Sequence, residues 1–292
     1  MRVLITGASG QLGSDLKQLL DDRYDVVALP REELDIADDG ALETTFERVA
    51  PTLVLNCAAF HNVEVCETDE DRSFEVNARA VKRMAQRCAA TDARLVHLST
   101  NYVFDGRSGA PYIEDDRPNP RSVYAISKLA GEQMALAYCP DALVVRSAGL
   151  YGLHGSVSKG GNFVTRMLGR ARSDGELRMV ADQLLTPTYT GDLAQALMDA
   201  VGAGVTGVLH LTNGGRCSWH EFTAAIMENA GIQVRIEAVS TTRPAGTAER
   251  PLNGVLSSAR VQGAALAPMR HWREALDDYM SLAGLTASAA TR

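Results

Sequence analysis

Cysteine is sparse in this 292-residue chain and forms no pattern. Cys57, Cys66, Cys88, Cys139 and Cys217 are odd in number, scattered and free of Cys-x-x-Cys spacing. That excludes a disulfide framework and points to reduced thiols. The six histidines never join them at metal-ligand spacing, so no metal site is expected, although a loosely held magnesium beside a phosphate stays open. No apolar run is long enough to span a bilayer, and Val3-Leu4-Ile5 meets Gly7 too soon for a signal peptide. Neither sign of charge forms a block: 29 basic against 36 acidic residues leave −7. Such a surface argues against nucleic acid or an anionic membrane as partner. Repeats, low-complexity tracts and the Gly-Lys-Ser/Thr ending of a P-loop are also missing. The expectation is a cytoplasmic protein.

What is present is apolar content, 46% of the chain, in alternating short runs and helical patterns. Strands are expected at residues 2–6, 25–29, 53–56, 95–99, 143–146 and 208–211. Helices are expected between them at 11–20, 41–49, 67–90, 123–138 and 192–201. This alternation predicts an α/β fold, a Rossmann-type doubly wound parallel sheet covered on both faces. After about residue 147 the pattern loosens. Gly149, Gly152, Gly155, Gly160 and Gly161 mark loops, and helices are expected at 163–171, 219–230 and 272–282. We therefore divide the chain into residues 1–147, a dinucleotide-binding domain with return elements at about 190–211, and 148–292, mainly a smaller α/β substrate lobe. Residues 284–292 are expected to fray, and the acidic, Gly- and Pro-rich loop 107–120 to border a substrate.

Between the first strand and first helix lies Thr6-Gly7-Ala8-Ser9-Gly10-Gln11-Leu12-Gly13. Gly7 permits a sharp turn, Gly10 lets backbone approach a pyrophosphate, and Gly13 lets helix pack on strand. The first-turn amides, including those of Gln11 and Leu12, favour the anion. Where an acid after the second strand would hold a ribose 2′-hydroxyl, this chain has Leu29-Pro30-Arg31. Arg31 suits a 2′-phosphate, so NADPH is expected over NADH, which stays open. The alternative is that Arg31 faces solvent or pairs with Glu32 or Glu33. Asp35 and Ile36 are placed beside the adenine, and Cys57, Ala58 and Ala59 where the cofactor crosses the sheet edge.

Further on, STNYVFDG at 99–106 ends the fourth strand, and Tyr124 and Lys128 follow four residues apart on a helix. That spacing puts phenol and ammonium on one helical face. The cation lowers the cost of phenolate, fitting the phenol for proton transfer.

Taken in order, these pieces resemble the extended short-chain dehydrogenases/reductases, and within them the dTDP-4-dehydrorhamnose reductase family. The matching segments are GASGQLG at 7–13, LDI at 34–36, NCAA at 56–59 and VN at 76–77, then STNYVFDG at 99–106 and YAISKLAGE at 124–132. Arg146, Leu150-Tyr151-Gly152, Asn162-Phe163, Asp182-Gln183, Pro187-Thr188 and Arg250-Pro251 extend the likeness over nearly the whole chain. The resemblance implies an NADPH-dependent reductase of a nucleotide-linked 4-keto-6-deoxysugar; a homodimer is open. Tyr124 would protonate the substrate carbonyl oxygen while the nicotinamide delivers hydride to the carbonyl carbon, and Lys128 would lower the tyrosine pKa and bind the nicotinamide ribose. Thr100 would donate to the developing alkoxide, with Ser99 beside the cofactor. Asn101, Tyr102, Asn162, Gln183 and Arg250 would border the sugar nucleotide.

Three departures fall on the substrate side: Asn101 where the family carries Asp, Gly149 where many members carry Trp, and Val65 where Lys is common. They imply a shifted sugar preference, reversible by Asn101→Asp with Gly149→Trp. Asn101 also lacks the acid of related dehydratases and the thiol of related epimerase-reductases. The likeness extends to the regulatory subunit of methionine adenosyltransferase, so a catalytically silent NADP-binding subunit is the alternative. Of the other histidines, His61 is either a substrate neighbour or a loop residue, and His210 a structural one.

Overall fold

The computed structural model describes residues 1–154, 160–244 and 246–287; Gly155 and residues 288–292 lie outside them. Six parallel strands form the central sheet: β1 (Arg2–Thr6), β2 (Asp25–Leu29), β3 (Leu53–Asn56), β4 (Arg94–Thr100), β5 (Leu143–Ser147) and β6 (Gly207–His210). Their order is β2-β1-β3-β4-β5-β6, which reverses direction between β1 and β3. Chains leaving β1 and β3 diverge there, opening a crevice beyond the carboxyl ends of the strands. Every strand expected from the apolar runs is present within a residue or two of its limits.

Helices cover both faces of the sheet and bury two cores. One lies under residues such as Leu42, Phe46, Met84 and Ala135, the other under Leu12, Leu16, Leu193 and Leu197. A third core joins Tyr151, Val164, Phe222, Trp272 and Tyr279 in the C-terminal lobe, where Trp219 and Trp272 serve as packing anchors. Among the described residues no helix is long and apolar enough to cross a membrane.

The single helix expected over 67–90 is instead four pieces: Val63–Thr68, Glu70–Phe74, a π-helical turn Glu75–Arg79, and Ala80–Ala90. Asp69 makes the first break. Its side chain accepts from the Arg72 amide and so caps a new helix, a local bond that competes with helix continuation. The π turn holds Asn77 inward. The Asn77 amide accepts from Phe60 N–H and donates to Phe60 O and Ser127 Oγ, tying the loop after β3 to the Val123–Tyr138 helix. π turns of this kind commonly serve functional sites.

That helix lies close enough at Gly131 for an added Cβ to clash with the Asn77 carbonyl. Gly131→Ala should therefore destabilise the protein by about 1–3 kcal/mol, the usual cost of overpacking. Urea unfolding checks it, and an unchanged midpoint would show that the two helices can part freely.

Candidate active site

The glycine loop has the local geometry that its sequence implies. Gly7 has φ +68°, and a Cβ there would sit 2.7 Å from the Ala58 nitrogen. A Cβ on Gly13 would sit 2.5 Å from the Gly7 carbonyl. Gly10 caps the Gln11–Leu20 helix, whose first i→i−4 bond runs from Ser14 N–H to Gly10 O. The amides of Gln11, Leu12 and Gly13 thus precede the helical ladder and converge at its positive end. Gln11 Nε2 donates to Leu150 O, while its Oε1 is buried without a partner among the described residues. Across the crevice, Cys57, Ala58 and Ala59 form a half-buried row of small side chains. This cradle fits a dinucleotide pyrophosphate.

Arg31 follows β2 and is two-thirds exposed; it lies 3.7 Å from Asp35, not against Glu32 or Glu33. Asp35 also binds Arg72, and these partners, with the Ala37 amide, hold its carboxyl below the usual range despite partial burial. Ile36 is packed into the core under Leu42 and Val76. A cation pair, Arg31 and Arg72, therefore flanks the end of β2; Arg72 was not legible as a neighbour because its helix arrives from a distant segment.

The catalytic candidates meet at the end of β4. Thr100 Oγ1 accepts from Tyr102 N–H and donates to Asn101 Oδ1. Tyr102 and Tyr124 meet edge to face, centroids 5.9 Å apart. Burial pushes the Tyr124 phenol upward, the neighbouring Thr100 side chain opposing it. Lys128 lies one turn further along the same helix. Its Nζ is buried, donates to Leu98 O at 2.6 Å and lies 3.3 Å from His97 Nε2. The lysine thus turns inward against β4. Burial lowers Lys128 itself to about 8. Ser99 Oγ donates to Glu132, leaving only its backbone for a cofactor.

The substrate-side candidates have mixed fates. Arg250 lies 3.0 Å from Glu64, and both act on the Tyr102 phenol, so Tyr102, Tyr124, Glu64 and Arg250 form one polar cluster. Glu64 carries no sequence signal of its own, because Arg250 reaches it from the far end of the chain. Gln183 Nε2 donates to Thr241 Oγ1. Asn162 is 4% exposed and its amide is spent: Oδ1 caps the Phe163–Asp174 helix and Nδ2 donates to Gly152 O and Tyr279 OH. It positions a loop instead of reaching a ligand. His210 is structural, with Nδ1 3.0 Å from Ser257 O.

Two departures take on new meaning. Gly149 has φ +57°, and a Cβ there would sit 2.8 Å from Leu185 Cδ1 and 3.2 Å from Pro187 Cα. Any side chain there meets a strained backbone and a crowded Cβ, so Gly149→Trp carries a structural cost that the sequence does not show. Asn101 Nδ2 donates to Gly254 O at 3.0 Å, fastening the segment 250–256 across the site. That segment is also tied by Asn253 N–H to Gly106 O, Gly254 N–H to Leu184 O, and Asn253 Nδ2 to Ser108 O and Ala110 O.

Asn101→Asp would set a carboxylate against the Gly254 carbonyl and lose this bond. We expect a cost of about 1–3 kcal/mol at pH 8. The aspartate's folded pKa would be raised, so the folded state binds more protons than the unfolded one. The deficit then shrinks as pH falls toward about 5. Urea unfolding at both pH values checks this; a deficit that grows on acidification would contradict it.

The geometry can be set beside known proteins. The model of the RmlD substrate binding domain family matches residues 1–284. The spore coat polysaccharide biosynthesis protein SpsK of Bacillus subtilis is 40% identical over 96% of both chains. A dTDP-4-dehydrorhamnose reductase of Mycolicibacterium smegmatis is 41% identical over 95% of this chain and 84% of its own length. The solved dTDP-4-dehydrorhamnose reductase from Bacillus anthracis, in complex with NADP, superposes with a TM-score of 0.91 at 32% identity, over 96% of this chain and 99% of that one. Together with the glycine cradle and the Thr100, Tyr124 and Lys128 cluster, this match along nearly the whole sequence places the chain in the RmlD substrate binding domain family.

Proposed function

We propose that this protein reduces the 4-keto group of a nucleotide-linked 6-deoxysugar of the dTDP-4-dehydrorhamnose kind, with Tyr124 as proton donor. It is an oxidoreductase acting on a carbonyl, and its cofactor is NADP(H). The observation that carries the proton-donor assignment is the meeting of Tyr124 with Tyr102 and Thr100 at the end of β4, the two rings standing edge to face. When bound, NADPH supplies a hydride.

The chain's own residues do the rest. The loop amides of Gln11, Leu12 and Gly13 hold the pyrophosphate, and Arg31 with Arg72 meets a 2′-phosphate. Tyr124, kept protonated by burial, gives its proton to the substrate oxygen as that oxygen gains charge. The Thr100 hydroxyl donates to the same oxygen, a preorganised donor where negative charge develops. Tyr102 and Arg250 lie on the side open to the sugar nucleotide. There the Arg250 cation, half-exposed and shared with Glu64, is available to an anionic phosphate.

Tyr124→Phe should lower kcat by about 10²–10⁴-fold while leaving NADPH binding nearly intact, because the phenol proton is needed only as charge forms. Steady-state rates with dTDP-4-dehydrorhamnose, read at the nicotinamide absorbance, check it. Retention of more than about a tenth of the rate would remove Tyr124 from the role of acid. NADPH should also bind more tightly than NADH, and Arg31→Ala should narrow that gap. Arg31 is exposed enough that we expect about 1 kcal/mol, roughly fivefold in Kd. Calorimetric titration measures it; equal constants for both cofactors in the unaltered protein would defeat the idea.

A further inference from the structure

A buried polar row runs beneath the catalytic helix. Register sets Thr6 beside Asn56, and Asn56 beside His97, on one face of β1, β3 and β4. The Asn56 amide has its orientation dictated from one side. Ala58 N–H, which can only donate, lies 3.2 Å from Oδ1, and the Thr6 hydroxyl donates to the same oxygen at 2.8 Å. The NH₂ end of Asn56 therefore faces His97 Nδ1, 3.0 Å away. A donor must meet an acceptor, so Nδ1 is the bare ring nitrogen. His97 is 0% exposed, and burial with the Lys128 charge holds its pKa well below the ordinary value. The ring is neutral, and its one N–H is on Nε2, 3.3 Å from Lys128 Nζ.

An ammonium has only donors to offer that N–H; an uncharged amine has a lone pair. We infer that His97 is a positioning residue for Lys128: locked by Asn56 with its proton on Nε2, it favours the uncharged amine over the ammonium. The other groups around the lysine leave room for this effect. The Leu98 carbonyl accepts one N–H from Nζ, which either form can supply. Glu132, one turn along the same helix, favours the ammonium but is already bound to Arg146 and Ser99. The Cys57 thiol, facing from the end of β3, is kept protonated by burial. The Tyr124 ring packs edge to face on Tyr102. Lys128 then acts beside Tyr124 as a group that can gain and lose a proton, not as a fixed charge. That use of it rests on the proposed reaction; the His97 contact itself does not.

The chain has only four lysines, Lys17, Lys82, Lys128 and Lys159, so ¹³Cε-lysine labelling of the full-length protein gives four NMR signals. Lys128→Met identifies one of them. That signal should titrate at about 8, and His97→Leu should move its midpoint upward by about one pH unit. A midpoint that stays put or falls would overturn the proposal. Should His97→Leu fail to fold, the long-range ¹H–¹⁵N spectrum of the unaltered protein reads the tautomer directly. A single Nε2–H form between about pH 6 and 9 is expected; an Nδ1–H form, or an imidazolium, would overturn it. Neither measurement involves turnover, so a failed reductase assignment and a failed His97 contact give different results.

Discussion

Glu132 and Arg146 meet in the protein interior through two hydrogen bonds of 2.9 and 2.7 Å, at 0% and 3% exposure. Burying two charges is costly, and their attraction repays it only when geometry is good and the remaining polar groups are satisfied. Here Ser99 Oγ donates to the same carboxylate, the guanidinium lies over the Phe104 ring, and its far nitrogen lies 3.5 Å from His210 Nε2. The pair spans from the Val123–Tyr138 helix to β5 and draws in the end of β4. It therefore fixes the height of Tyr124 and Lys128 above Thr100. Losing either partner would leave an unpaired buried charge under the catalytic helix.

The remainder of the site hangs on that frame through longer-range ties. Asn77 clamps the loop after β3 to the same helix, and the Gly131 contact sets their separation. From the far end of the chain, residues 250–256 cross the crevice. They are fastened through Asn101 at the end of β4, Gly106 and Leu184, while Arg250 reaches Glu64. The crevice is thus bounded by β-strand ends on one side and by a strap of remote sequence on the other. In the proposed reaction, hydride and proton transfer would rest on rigid elements, and recognition on connections.

Legibility followed the same division. The β-strands and the glycine turn were readable because apolar period and positive φ are local properties, as Gly7 shows. The Tyr124 and Lys128 pair was readable as a face of one helix, but where Lys128 points was not: His97 and Leu98 capture it from another strand. Asn162 looked like a ligand because its motif is a family mark, yet its amide is consumed as a cap. Gly149 and Asn101 looked like lost side-chain functions. The structure shows one to be a backbone requirement and the other a latch, neither visible without the segments packed against them. The break at Asp69 was masked by helical periodicity that continues on both sides.

The central claim is that this constellation turns over instead of only holding a cofactor. Incubation with NADPH carrying deuterium at the transferring position of the nicotinamide, together with dTDP-4-dehydrorhamnose, tests it most directly, with the sugar product read by mass spectrometry and NMR. The account predicts loss of nicotinamide absorbance matched by one deuterium at the sugar C4. Tight NADPH binding with neither change, using this or any related 4-keto-sugar nucleotide, would contradict it.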